Sequence, residues 1–222
     1  MSATIAPRID IISDAICPWC YIGKRQLERA LPILAEQGLN FAVAWHPFQL
    51  NPDMPQAGYD RREYRIAKFG SLEKSRELDA RITETAAALG LEFHLDRLTR
   101  TPNTVAAHRT IWLAGQHGVQ DAVVEALFDA YFCQGTDLGD TALLTDLAAN
   151  AGLDRAALEQ MFASDAGIDV VLQGDASARR GGISGVPSFL MGNYVLFSGA
   201  VPAEQMAEAF AQAWKVLSTR AA

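Results

Sequence analysis

Two cysteines separated by two residues are the sharpest chemical feature of this sequence. Cys17 and Cys20 enclose Pro18 and Trp19, and a helical pattern follows them. In the first turn of a helix, unpaired N–H groups and the helix dipole favour an anion, so the pKa of a thiol there is lowered. Cys20 lies one turn further on, close enough to attack a mixed disulfide formed by Cys17. The pair therefore predicts thiol–disulfide exchange, with Cys17 as nucleophile and Cys20 as resolving cysteine.

A structural zinc site is the main alternative for cysteines at this spacing. It would need a second pair of ligands at suitable spacing. Cys133 lies far away in a helical pattern, and the four histidines form no HxxxH or HExxH pair. We therefore predict no metal site, and we interpret Cys133 as a buried small hydrophobe.

A second feature is Val186-Pro187, which opens an apolar run near the C-terminus. The first residue of a strand is one of the few places where a sheet accepts proline. A trans bond is the default expectation, because only about 5–6% of X–Pro bonds in folded proteins are cis. The presence of the cysteine pair shifts that expectation towards cis.

The elements that would position these residues lie at the two ends of the chain. The cysteine pair stands between a strand and a helix, and a second strand follows, so the two strands are expected to be parallel. Pro32 is expected to kink or shorten that helix. Near the C-terminus, a Gly192-Asn193 turn joins two strands into a hairpin, and a helix follows. The predicted elements are strands over 8–13, 39–46, 186–191 and 194–197, and helices from the cysteine pair to Gly38 and over about 203–217.

Only helical patterns, with no strand candidate, occur between about Gln56 and Gly181. Asp140 and Asp154 precede two of these patterns as expected N-caps. The sheet halves at the chain ends are too small to stand alone, so we expect them to form one sheet. The prediction is an α/β fold of order β-α-β … β-β-α, with residues 1–56 and 182–222 in one discontinuous domain and a helical domain, 57–181, inserted between them.

The composition of the chain argues against several classes of protein. The chain has 222 residues, a formal charge of −7 and three cysteines. The acidic balance argues against a nucleic-acid partner, and the odd cysteine count excludes a complete internal disulfide framework. No secretion signal begins at Met1, and glycines and prolines interrupt the most apolar window, 183–201, so no membrane partner is expected. These features predict a soluble, cytoplasmic protein.

Taken together, these residues resemble the DsbA-like branch of the thioredoxin fold, over essentially the whole chain. The strings Cys17–Lys24 (CPWCYIGK), Trp45–Pro52 (WHPFQLNP) and Gly185–Phe189 (GVPSF) are similar to its cytoplasmic FrnE-type subgroup. The resemblance implies a thiol–disulfide oxidoreductase or isomerase acting on protein or small-molecule disulfides and thiols. It implies no tightly bound cofactor, with glutathione as a candidate co-substrate, and it leaves open whether the protein is a monomer or a homodimer.

The resemblance also implies roles for individual residues. Cys17 matches the family's exposed attacking cysteine, and Cys20 matches its buried resolving cysteine. Pro187 matches the cis-proline beside the dithiol, where the backbone of Val186 would pair with an extended substrate. Pro18 and Trp19, between the cysteines, would tune the reduction potential.

Two alternative functions remain open. Kappa-class glutathione transferases and chromene-carboxylate isomerases are similar in layout, but they typically carry serine in place of Cys17, which favours redox exchange here. In that branch the loop after the second strand helps to hold glutathione, so Asn51 is a candidate ligand contact; the alternative is a turn-forming Asn before Pro52. His108 is a second candidate for a position in the substrate cleft. The alternative is a histidine that packs against its neighbours or caps a helix. The other alternative function is a redox-switched binding or chaperone module.

Overall fold

The computed structural model describes residues 7–220, and a four-stranded sheet lies at its centre. The strands follow the order β2-β1-β5-β6; β1 pairs in parallel with β2 and antiparallel with β5, and β5 pairs antiparallel with β6. The prediction that both chain ends contribute to one sheet is therefore confirmed. The strands are β1 (Arg8–Ser13), β2 (Ala42–Pro47), β5 (Ser188–Met191) and β6 (Tyr194–Ser198).

Helices fill most of the segment between β2 and β5, as predicted. Both predicted N-caps are confirmed: Asp140 accepts from the N–H of Ala142 at 2.8 Å, and Asp154 accepts from the N–H of Ala157 at 3.1 Å. Asp60 and Ser71 cap two further helices, accepting from the N–H of Glu63 at 3.0 Å and of Lys74 at 3.1 Å. The helices are α1 (Pro18–Glu36), α2 (Arg61–Phe69), α3 (Leu72–Ala87), α4 (Val105–Gln116), α5 (Gln120–Asp129), α6 (Thr141–Asn150), α7 (Arg155–Phe162), α8 (Ile168–Arg180) and α9 (Ala203–Arg220), with a 3-10 turn at Leu95–Arg97 and a π-helical turn at Ala130–Gln134.

Apart from small shifts at the ends of α1, β2, β5, β6 and α9, two details differ from the sequence prediction. Two short strands, β3 (Tyr59–Asp60) and β4 (Arg100–Thr101), pair antiparallel inside the segment expected to hold no strand. Strands of two residues are too short to show the alternation by which a sequence predicts them. The other detail is Pro32: α1 is not shortened there and continues to Glu36, whereas a kink at Pro32 stays a prediction. The burial of Leu34 beyond the proline offsets the single hydrogen bond that proline removes.

The hydrophobic core runs without interruption from the sheet into the inserted helices. It includes Ile9 and Ile11 of β1 together with Phe128 of α5 and Leu144 of α6. The division into a domain of residues 1–56 and 182–222 and a domain of residues 57–181 stays a prediction. No helix among residues 7–220 is both long enough and apolar enough to cross a membrane.

Candidate active site

The two cysteines of the CPWC motif lie in the first turn of α1, directly after β1. Cys17 is the N-cap residue, with extended backbone angles (φ −91°, ψ 112°), and Pro18 is the first helical residue. The N–H of Cys17 donates to the carbonyl of Asp14 at 3.0 Å, and the N–H of Cys20 donates to the carbonyl of Cys17 at 3.0 Å. Both cysteines are free thiols. The predicted position of the dithiol at a helix start is thus confirmed.

Both thiols are buried, which differs from the exposed Cys17 that the resemblance implied. Cys17 is 3% exposed and Cys20 is fully covered, whereas Trp19 between them is 40% exposed. The cover over Cys17 comes partly from the segment before β5, since its thiol donates to the carbonyl of Val186 at 3.5 Å. The motif thus presents an aromatic side chain to solvent and keeps its sulfur atoms beneath the surface.

Burial raises the pKa of Cys20 well above its usual range, and the neighbouring Cys17 raises it further. Hydrogen bonds from the Ser13 hydroxyl and the Asp14 backbone act in the opposite direction, but they do not offset the burial. Cys20 is therefore a protonated thiol at neutral pH, and it must lose a proton before it can act as a nucleophile.

The Val186–Pro187 peptide bond is cis, and this segment packs directly against α1. A methyl group on Gly23 would lie 3.0 Å from Cγ of Pro187 and 3.4 Å from Cζ of Phe189. Glycine at this position of α1 is what permits the close approach. Among residues 7–220, the N–H of Val186 has no hydrogen-bond partner. The structure thus brings Val186 and Pro187 together with the dithiol, 169 residues away in the sequence.

The loop after β2 lies beside the segment that precedes Cys17, and side chains from other elements bind its backbone. Gln49 donates its N–H to Asp175 at 2.8 Å, and Leu50 donates its N–H to Asp14 at 2.7 Å. The carbonyl of Phe48 lies 3.1 Å from Nε2 of His108. Because Asp14, which follows β1, and side chains from α4 and α8 all bind this short segment, its position relative to α1 is well defined.

The two residues proposed for the cleft differ in their surroundings. The carboxamide oxygen of Asn51 accepts from the Tyr64 hydroxyl at 2.6 Å and lies 3.3 Å from the Lys68 ammonium. Its carboxamide nitrogen is buried and has no partner among the described residues. Asn51 also starts a turn, since its carbonyl accepts from Met54 at 3.1 Å. His108 is 3% exposed and packs beneath the loop, which is the packed arrangement considered as its alternative.

Comparison with known proteins identifies the family. Residues 8–211 match the model of the DSBA-like thioredoxin domain. The chain belongs to this family.

A solved structure of a probable DsbA oxidoreductase from Streptomyces coelicolor is similar to this chain. It is 31% identical, the match covers 94% of this chain and 90% of that one, and the TM-score is 0.83. The Bacillus subtilis protein YwbO is 27% identical over 190 residues, which cover 85% of this chain and 88% of YwbO. The cytosolic disulfide reductase DsbM from Pseudomonas aeruginosa, solved with glutathione, shares the fold at 16% identity and a TM-score of 0.62, over 95% of this chain and 99% of its own.

In this DSBA-like domain, the sequence did not identify Asp14 as a site residue. Asp14 was interpreted only as a turn or capping residue after β1, yet its side chain is almost fully buried. Besides the N–H of Leu50, its carboxylate contacts Nε2 of His108 at 3.4 Å and the N–H of Ile16 at 3.5 Å. Asp14 thus links the turn before Cys17, the loop after β2 and helix α4. An aspartate beside a CxxC pair gives no sequence signal that distinguishes such a contact from a simple turn.

Lys24 is a second residue whose contacts the sequence did not predict. Its side chain is 2% exposed, and its ammonium group pairs with Glu28, with Asp121 at 3.1 Å and with Glu125 at 2.9 Å. These acids belong to α1 itself and to α5, so the cluster joins the helix that carries the dithiol to α5. Burial works against the charge, but the surrounding carboxylates raise the pKa of Lys24 above its usual value.

Cys133 lies apart from the dithiol, in the π-helical turn after α5. Burial, reinforced by the nearby charge of Asp129, raises its pKa to about 12. The thiol is therefore protonated and a poor nucleophile at neutral pH. Among residues 7–220, no three His, Cys, Asp or Glu side chains are grouped in a way that could hold a metal ion.

Proposed function

We propose that this protein is a thiol–disulfide oxidoreductase or isomerase in which Cys17 is the nucleophile and Cys20 the resolving cysteine. The observation that carries the proposal is the free dithiol in the first turn of α1 with the Val186 carbonyl 3.5 Å from the Cys17 sulfur. It joins a nucleophile at a helix start to the backbone of Val186, whose N–H has no partner within residues 7–220 and is a place where an extended substrate chain can bind.

The proposed reaction has two exchange steps. The thiolate of Cys17 attacks one sulfur of a substrate disulfide, so that a mixed disulfide forms and one substrate thiolate leaves. Cys20 gives its proton to the substrate thiolate released in the first step, and the thiolate of Cys20 then attacks the sulfur of Cys17, releases the second substrate thiolate and closes the Cys17–Cys20 disulfide. The substrate gains two electrons, and the protein loses two. The same steps in reverse oxidise a dithiol substrate, and two molecules of a small thiol such as glutathione would reduce the protein again.

Substrate binding would replace the contact that now covers the nucleophile. Because Cys17 is 3% exposed, an incoming disulfide must displace the Val186 carbonyl from its sulfur. An extended substrate segment would gain the free N–H of Val186 in return. Trp19, exposed next to the dithiol, would pack on the same segment. Pro18 would act through the geometry of the turn between the cysteines.

Glutathione is the proposed small-molecule co-substrate. DsbM, which shares the fold, is a cytosolic disulfide reductase solved with glutathione. The buried carboxamide nitrogen of Asn51, which has no partner within residues 7–220, would be a donor for such a ligand. The sequence strings shared with the FrnE-type subgroup support a place in that subgroup and in the cytoplasm. A kappa-type transferase or isomerase reaction has less support, because a cysteine stands at position 17.

The test compares single serine variants in a disulfide-reduction assay with insulin and glutathione. Cys17→Ser should abolish turnover, and Cys20→Ser should accumulate mixed disulfides that non-reducing mass spectrometry detects. Cys133→Ser is the matched control and should keep full activity. Full exchange activity in Cys17→Ser would refute the mechanism. Stoichiometric capture of a partner that depends on oxidation, without turnover by the wild type, would instead support a redox-switched binding module.

The direction of electron flow follows from the reduction potential of the Cys17–Cys20 pair. Equilibration against glutathione buffers measures it. A value near about −270 mV would indicate a reductase, and a value near about −120 mV would indicate an oxidase, as in related dithiol proteins.

A further inference from the structure

A cavity of about 740 Å³ lies between the α2–α3 helix pair and the segment 93–98. Its volume lies within the range of small-molecule sites, roughly 300–1,000 Å³. None of the dithiol site residues, including Cys17, Cys20 and Pro187, lines it. It is therefore separate from the site of the proposed exchange reaction.

The floor of this cavity is apolar. Phe93, Leu95 and Leu98 line it, and each belongs to the core of the protein. The helices above the floor contribute little packing: α2 has no buried residue, and in α3 only Ser75 and Ala86 are buried. Phe93 is 5% exposed, and Leu95 and Leu98 are 7% exposed, so the apolar body of a ligand would cover the edges of these side chains that the cavity leaves accessible.

The walls of the cavity carry an excess of guanidinium groups around one half-buried carboxylate. Arg65 is the more strongly held of two arginines here, because it donates to the Ser75 hydroxyl at 2.7 Å and to the Ser75 carbonyl at 3.0 Å, and it pairs with Asp79. Arg61 pairs with the same carboxylate. Two cations thus share one anion, and one positive charge in this pair is left without a partner of its own.

Arg61 is the group that carries this surplus. Its side chain is 13% exposed, and its ion pair with Asp79 is long, at 3.5 Å. Within residues 7–220, the guanidinium of Arg61 makes no hydrogen bond to another group. A guanidinium has five N–H donors and a planar geometry that matches a carboxylate. A largely covered arginine with free donors at the edge of an apolar cavity is suited to hold an anionic group.

We propose that this cavity binds a small organic anion with an apolar body, such as an aromatic carboxylate. Its carboxylate pairs with Arg61, and its body lies on Phe93, Leu95 and Leu98. Arg65 holds Asp79 in place and so keeps that carboxylate from occupying all the donors of Arg61. The other charged residues on the rim, with both signs present, are Arg62, Arg76, Glu84 and Asp96.

Isothermal titration calorimetry with 2-naphthoate tests the proposal, with 2-naphthamide as the uncharged ligand of the same shape. The wild type should bind the carboxylate, and the amide should bind at least about tenfold more weakly, as expected for loss of a charged hydrogen bond. Arg61→Gln should weaken naphthoate binding by at least about tenfold, because it removes the same interaction from the protein side. Arg97→Gln is the matched control, since Arg97 lies in the same segment and is exposed but does not line the cavity; its binding should equal that of the wild type.

Amide chemical-shift mapping on the wild-type protein gives a result that does not depend on the folding of any variant. The shifts should be confined to α2, α3 and the segment 93–98. The proposal is overturned by the absence of naphthoate binding, by equal binding of the amide, by full affinity in a folded Arg61→Gln variant, or by shifts that centre on another surface.

Discussion

Replacing Asp14 by alanine should destabilise the protein more than any exposed aspartate substitution, although Asp14 is not one of the reacting groups. Its carboxylate is buried and accepts from the N–H of Leu50 at 2.7 Å. It also contacts Ile16 at 3.5 Å and His108 at 3.4 Å. Alanine would leave these donors inside the protein without that acceptor.

The size of the effect follows from these contacts. A hydrogen bond to a charged group contributes about 1.5–3 kcal/mol, and the short bond from Leu50 is of this kind. The two longer contacts, with Ile16 and His108, contribute about 0.5 kcal/mol each. His108 keeps its contact with the carbonyl of Phe48, which limits the stability lost at His108 when Asp14 is removed. The sum is about 3 kcal/mol in the free energy of unfolding, which for a chain of this length lowers Tm by roughly 6–12 °C.

Asp14→Asn separates the hydrogen bond from the charge. The asparagine oxygen can still accept from the N–H of Leu50, so the loss should be about half of that in Asp14→Ala. Asp140→Ala is the matched control, because Asp140 is an exposed N-cap whose removal costs about 1 kcal/mol.

Thermal unfolding followed by circular dichroism measures all three variants together with the wild type. We expect the order wild type, Asp140→Ala, Asp14→Asn, Asp14→Ala, from most to least stable. If Asp14→Ala melted at the same temperature as Asp140→Ala, the buried contacts of Asp14 would not have the importance assigned to them.

Three further predictions concern other contacts. Burial alone would raise the pKa of Glu125, but the ion pair with Lys24 holds that pKa below its usual range. The stability that this carboxylate provides is therefore present above about pH 4.3 and is lost as the pH falls through the pKa of the folded state. Urea unfolding should therefore show that Glu125→Gln costs more stability at pH 7 than at pH 3, and an equal cost would contradict this. Gly23→Ala should destabilise by about 1 kcal/mol in thermal melts, since crowding against Pro187 costs more than the gain in helix propensity, whereas a stabilised variant would show that the neighbour yields freely. With its pKa raised to about 12, Cys133 in a protein lacking the redox pair should react with iodoacetamide at pH 8 far more slowly than a cysteine peptide does, and rapid alkylation would refute this.

The sequence predicted the fold well because the strongest patterns mark its sheet. The strand over 8–13 and the turn at Gly192-Asn193 appear in the structure at the predicted positions. Strands at the two ends of the chain pair with each other because neither pair can form a stable sheet alone. Strands β3 and β4 were missed because two residues carry no periodic signal.

The sequence predicted only those features of the candidate site that depend on residues close together in the chain. A CxxC spacing at a helix start needs no knowledge of the rest of the chain, and it placed Cys17 and Cys20 correctly in the first turn of α1. The burial of Cys17 was not predictable, because it depends on the Val186 carbonyl, which the fold brings close from a distant part of the sequence. The contacts of Asp14 are long-range in the same way, since both Leu50 and His108 come from other elements.

Several residues of the motif CPWCYIGK each contact a different element packed against α1. Tyr21 enters the aromatic cluster of the inserted helices, with its ring 5.1 Å from that of Phe128. Gly23 makes room for Pro187, and Lys24 pairs with acids of α5. A helix with these contacts is fixed on both sides, by the hairpin and by the insertion. The first turn, which carries the dithiol, is therefore held in place by residues that take no part in the exchange, so changes at these positions should alter the reactivity of Cys17 without touching its sulfur.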